Sequence, residues 1–162
     1  MKKRFVTYYN SPLGSIEIKG TENFISEVNF VIDEYESSQD LPDLLMECKK
    51  ELQEYFEGRR REFSLKVKPE GTPFQKKVWK QLLKIKYGDT TSYLNLSKKL
   101  RDEKAIRAVG HANGKNPVAI IIPCHRVIGA TGKLTGYAGG LWRKQWLLEH
   151  EGNVSGKNPT LF

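Results

Sequence analysis

The chain has 162 residues, 38% of them hydrophobic and 28% charged, which suits one compact domain or two small ones and excludes a disordered polymer. No apolar run approaches the roughly 20 residues of a membrane span, and the basic start Met1-Lys2-Lys3-Arg4 lacks the apolar stretch that completes a signal peptide. The net charge of +8 is unevenly spread: residues 1–70 carry 11 Lys/Arg against 14 Asp/Glu, and residues 71–162 carry 16 against 5, so the strongly basic second half suits a polyanion.

Phe5–Tyr9 and Ser15–Lys19 read as strands around a Ser11-Pro12-Leu13-Gly14 turn, and Phe24–Val31 supplies a third. Together they predict a small antiparallel sheet. Over 42–57 the period becomes helical, with Leu44, Leu45, Cys48, Leu52, Tyr55 and Phe56 on one face. Cys48 therefore reads as core. Arg59-Arg60-Arg61 reads as a solvated loop, with a phosphate contact as the alternative.

Pro69-Glu70-Gly71 marks a linker, giving a first domain at 1–70 and a second at 71–152. Thr72-Pro73-Phe74-Gln75 is a capping box opening a helix that buries Phe74, Val78, Trp79, Leu82 and Ile85 and stops at Gly88. Helices over Ser92–Leu100 and from Lys104 to about Asn113, joined by a short turn in a basic segment, fit a helix-turn-helix of winged-helix type. A last helix, Leu141–His150, is expected to bury Leu141, Trp142, Trp146, Leu147 and Leu148 and to end at Gly152, leaving 153–162 as a flexible tail. The fold class is thus α+β: a small sheet-plus-helix domain, then a mostly helical one.

The chemistry concentrates at Pro123-Cys124-His125-Arg126, after the apolar run Val118–Ile122. A thiolate is the nucleophilic form of cysteine, and a neighbouring imidazole is a common way to reach it. Adjacent strand residues point to opposite faces, so Cys124 and His125 cooperate only if the chain turns there. Two cysteines in a chain this long are not a disulfide framework and indicate a reducing, cytoplasmic setting. Cys48 alone in a first half without histidine, and no clustered Cys/His spacing elsewhere, predict no metal and no cofactor.

One ordered series carries a resemblance. Thr72-Pro73-Phe74-Gln75, Tyr87–Tyr93, Arg107-Ala108-Val109-Gly110, Asn116-Pro117, Pro123–Arg126, Gly136–Gly140 and Trp146–Gly152 together resemble the O6-alkylguanine-DNA alkyltransferases over most of 72–152. The resemblance implies that Cys124 takes an alkyl group from O6 of guanine, or O4 of thymine, once and irreversibly. His125 would be its base through a water, Glu151 the carboxylate orienting that imidazole, and Asn116 the brace of the turn. Read alone, Glu151 is a surface charge at a helix end. The nucleotide must leave the duplex to react. Tyr93 is similar to the residue that promotes rotation and Arg107 to the one that fills the gap. Val127, Tyr137, Ala138, Gly139 and Arg126 would serve the base or its DNA.

The implied partner is duplex DNA containing O6-alkylguanine, bound by a monomer away from membranes. Two rival readings are a lesion-binding protein without catalysis, against which Cys124 argues, and a thiol hydrolase of small molecules, against which the basic half argues.

Overall fold

The computed structural model describes residues 3–157. The chain forms two compact units, one of residues up to Glu70 together with Pro117–Ile121, the other of Gly71–Asn116 and the chain from Ile122 onward.

In the first unit β1 (Phe5–Ser11), β2 (Gly14–Gly20) and β3 (Ile25–Phe30) make an antiparallel sheet in chain order. Ser11 pairs with Gly14, leaving Pro12-Leu13 as a two-residue turn, and Gly14 takes a φ of 109° that a side chain would oppose. Ile16, Ile18 and Val28 are buried in the sheet. Helix α1 (Asp43–Phe56) packs on it with Leu45, Cys48, Leu52, Tyr55 and Phe56 buried. Burial pushes the Cys48 thiol up to about 12, so this sulfur is an inert part of the core. Arg59 and Arg60 turn back on Glu54, so the arginine run closes on α1.

The apolar run 118–122 does not form a continuous strand. Val118 alone bridges to Val28, with Ala119 N donating to the Val28 carbonyl at 2.8 Å. Ile120 then adopts a φ of 70° while 1% exposed, a conformation that costs a β-branched residue about 1–3 kcal/mol. Because 117–121 pairs with β3, it belongs to the first unit and interrupts the continuous second domain expected from the sequence.

The second unit opens with α2 (Pro73–Leu82), whose capping box is complete in both directions. Trp79 donates its indole N–H to the Ala112 carbonyl at 2.8 Å and lies under Gly71, where an added Cβ would stand 2.4 Å from the ring. Val78 and Leu82 are buried beside it. Phe74, expected inside, is 36% exposed in the first turn, and the helix stops at Leu82, where turns take over before Gly88.

β4 (Thr91–Ser92) runs parallel to β5 (Val127–Ile128), and Ser92 caps α3 (Tyr93–Lys99). A short 3-10 turn then leads to α4 (Ile106–Gly114), which packs on α3.

Helix α5 (Leu141–Ser155) faces differently from the expected pattern. Its buried residues are Lys144, Leu147, Leu148, Glu151 and Gly152, while Leu141 and Trp142 are 47% and 58% exposed. A stripe at i, i+3, i+4 and i+7 is inward, and two of its members are charged. The helix passes through Gly152 to a left-handed cap at Gly156, so residues 153–155 of the expected tail are helical, and 158–162 lie outside the described residues. Among the described residues, no helix is long and apolar enough to cross a membrane.

Candidate active site

Cys124 opens a 3-10 turn, Cys124–Arg126, between Pro123 and β5. The turn removes the strand alternation that would send neighbouring side chains to opposite faces. Cys124 is 7% exposed and His125 fully buried. Asn116 Nδ2 donates to the Ile122 carbonyl at 2.8 Å, and Asn113 Nδ2 to the Cys124 carbonyl at 3.4 Å. Two asparagines from the end of α4 and the residues after it thus hold the backbone on either side of Pro123. Sequence reasoning missed Asn113, although it sits three positions before Asn116.

His125 Nε2 lies 2.7 Å from Glu151 Oε2. The same carboxylate accepts Arg126 Nε on Oε1 at 2.8 Å and an Arg126 Nη2 bond on Oε2 at 3.1 Å. Arg126 completes its fork on the Ile85 carbonyl at 2.7 Å and stacks over the Tyr87 ring. Expected among DNA-contacting residues, Arg126 is instead 6% exposed and committed to Glu151, because a buried carboxylate needs a paired cation.

These contacts fix the charges. Burial alone would raise the Glu151 carboxyl, but His125 and Arg126 together hold it well below the usual range, as an anion. Burial lowers the imidazole of His125, against the pull of Glu151. With the Arg126 fork neutralising Glu151, His125 stays neutral and donates Nε2–H to it. The other ring nitrogen, Nδ1, is buried without a hydrogen bond among the described residues, its lone pair free to take a proton. Burial also raises the Cys124 thiol, opposed by the Asn116 hydrogen bond and then by the charge of Lys144. The resting sulfur therefore keeps its proton.

Lys144 is a buried cation within electrostatic reach of Cys124 that sequence reasoning missed. Its side chain is fully buried, Nζ donates to the Thr135 carbonyl at 2.9 Å, and burial lowers its pKa to about 8, with Cys124 pulling the other way. The i, i+7 spacing from Lys144 to Glu151 was the available signal: an inward Glu151 brings Lys144 to the same face. Tyr137, held neutral by burial, also feels the Cys124 charge, and its hydroxyl is buried without a partner among the described residues.

The remaining expected residues lie around this centre. Val127 is fully buried in β5. Ala138 is exposed and Gly139 half-buried in the segment before α5. Tyr93 starts α3 directly after β4, half-buried, and Arg107 is exposed in the first turn of α4. Among the described residues no three His, Cys, Asp or Glu side chains cluster as metal ligands would.

Comparison with known proteins supplies the family. The family described as 6-O-methylguanine DNA methyltransferase, DNA binding domain, matches residues 73–153, and its ribonuclease-like domain matches residues 5–69. A Methanosarcina acetivorans methylated-DNA–protein-cysteine methyltransferase is 45% identical over 92% of this chain and 99% of its own. The chain belongs to the 6-O-methylguanine DNA methyltransferase family. Among solved structures, a Mycobacterium tuberculosis O6-methylguanine methyltransferase superposes with a TM-score of 0.83 at 41% identity, covering 93% of this chain and 94% of that one. The M. tuberculosis OGT in complex with DNA gives 0.82 at 42% identity, over 91% and 92%. The match of both methyltransferase domains, in order, spans the α+β fold from β1 into α5.

Proposed function

We propose that this protein repairs DNA by direct reversal, transferring an alkyl group from O6 of guanine, and from O4 of thymine, to Cys124. The observation that carries the reading is the buried His125, next in the chain to the buried Cys124, with its Nε2 fixed by Glu151 at 2.7 Å and its Nδ1 without a hydrogen bond among the described residues. The Cys124 proton passes through a water to Nδ1 as the sulfur attacks the alkyl carbon. The S–C bond forms, the C–O6 bond breaks, and its electron pair stays on the guanine. A proton returned to the base leaves guanine and a neutral imidazole. The neutral hydroxyl of Tyr137 and the backbone at Ala138 and Gly139 stabilise the departing oxygen.

The second unit is the DNA-binding and acceptor domain, and the first is a scaffold. The α3–α4 pair acts as a helix-turn-helix, with Tyr93 promoting nucleotide rotation, exposed Arg107 filling the vacated stack and Val127 lining the base pocket. The protein acts as a monomer on duplex DNA, needs no cofactor, and works where thiols stay reduced, as in cytoplasm. A thioether has no leaving path, so each molecule reacts once. Intact-mass analysis after incubation with an O6-methylguanine duplex tests this. One methyl gained at Cys124, absent in Cys124→Ala, is the expected result; a bare sulfur or repeated turnover refutes it.

A further inference from the structure

We propose that Thr135 is a positioning residue for the transfer, tying the hydroxyl of Tyr93 to the segment between β5 and α5. This rests on the alkyl-transfer reading above and adds a residue to it. Tyr93 Oη and Thr135 Oγ1 are 2.6 Å apart, a short hydroxyl pair linking positions 42 residues apart in sequence.

The rest of Tyr93 is already fixed. Its backbone follows β4, which pairs with β5 immediately after the Cys124 turn. Its ring lies over α4 at Gly110, where an added Cβ would stand 3.7 Å from the ring carbons. The hydroxyl end is the remaining freedom, and Thr135 restrains it.

Thr135 is itself anchored. Its carbonyl accepts from Lys144 Nζ at 2.9 Å, and the Lys144 side chain is fully buried in α5. One residue therefore links α3 to α5 through two different atoms. Flanking bonds fix the segment on both sides, Gly129 N to the Lys133 carbonyl at 2.8 Å and Arg143 Nη1 to the Gly139 carbonyl at 2.8 Å.

The donor direction matters. A threonine hydroxyl that donates to Tyr93 Oη leaves the phenolic O–H free for the flipped nucleotide. Valine has the same shape and cannot donate; serine can. Thr135 thus aims a donor without touching the reacting atoms.

The test is single-turnover methyl transfer from an O6-methylguanine duplex, reading the saturating rate and the half-saturating duplex concentration. Thr135→Val should slow the saturating rate by about 3- to 10-fold, the worth of one hydrogen bond, with half-saturation unchanged within about twofold. Thr135→Ser should recover to within about twofold of wild type. In a Tyr93→Phe background, Thr135→Val should cost nothing more, because its partner is already gone. A wild-type rate in Thr135→Val, equal slowing in the serine variant, or a full extra loss in the Tyr93→Phe background overturns the assignment. A wild type that takes up no methyl sinks the transfer reading itself, and this assignment with it.

Discussion

Replacing Glu151 by glutamine separates the two roles of that carboxylate, pairing Arg126 and orienting His125. Glu151 is 1% exposed and takes three hydrogen bonds of 2.7 to 3.1 Å from His125 and Arg126. Breaking a buried pair by removing one charge costs about 3–5 kcal/mol, and glutamine keeps one oxygen for Arg126, so the lower end, about 3 kcal/mol, applies. For a chain of this size that lowers Tm by about 6–12 °C. The carboxyl sits below its ordinary 4.5 in the folded state, so its contribution is present above that pH and is lost as pH falls; the variant should show a flatter acid limb. The kinetic effect is larger. The new amide N–H needs an acceptor, so His125 Nε2 gives up its proton and the tautomer moves it to Nδ1, the atom required as base. A wrong tautomer in a comparable relay costs about 10⁴-fold, so transfer should fall by about 10²–10⁴-fold. The assay is single-turnover methylation of Cys124 by intact mass, at a temperature far below both melting points. A folded Glu151→Gln protein that transfers within about threefold of wild type refutes the relay.

Because burial lowers His125 below its ordinary 6.5, transfer should hold its neutral-pH rate into the range where a free imidazole is charged; a loss of rate centred at pH 6.5 contradicts the neutral-base assignment. Lys144, at about 8 when folded against an ordinary 10.5, is folded against the cost of its own charge, so stability of the wild type relative to Lys144→Met should rise between pH 8 and 10.5, measured by denaturant melts; a gap that stays constant removes the buried charge from the account. Duplex binding should weaken steeply with salt and discriminate little among sequences, since the basic half supplies phosphate contacts; a flat salt titration argues against it.

Local chemistry is legible in the sequence, and long-range packing is not. The Thr72–Gln75 capping box and the Ser92 cap are set by side chains within three residues of their partners, and the sheet of the first unit follows from alternation and one turn. The catalytic cluster is reached through the resemblance, because Glu151 meets His125 across 26 positions that no local pattern spans. The inward face of α5 escapes a hydrophobic pattern because that pattern picks Leu141 and Trp142, whereas the fold buries Lys144 and Glu151. Arg126 misleads for the same reason: a charged side chain is expected outside unless its buried partner is known. Chain continuity assigns residues 117–121 to the second domain, but their backbone bonds run to Val28, nearly ninety positions earlier.

The neutral charge state of the resting sulfur also predicts how the protein responds to its own methylation. Glu151 is balanced by the Arg126 fork, His125 is neutral, and burial keeps the proton on the Cys124 thiol. Methylation therefore exchanges one neutral sulfur for another and leaves the charge balance around Lys144 as it was. What changes is volume: the added methyl has to fit around a sulfur only 7% exposed, where overpacking costs about 1–3 kcal/mol. The product should be destabilised, with Tm lower by about 2–12 °C after reaction. A steric cost carries no pH dependence of its own, so calorimetry of the reacted and unreacted proteins should show the same deficit on either side of neutral pH. A deficit that changes across that range would place a charge on the resting sulfur, and an unchanged or higher Tm after methylation would mean that the pocket already holds room for the alkyl group.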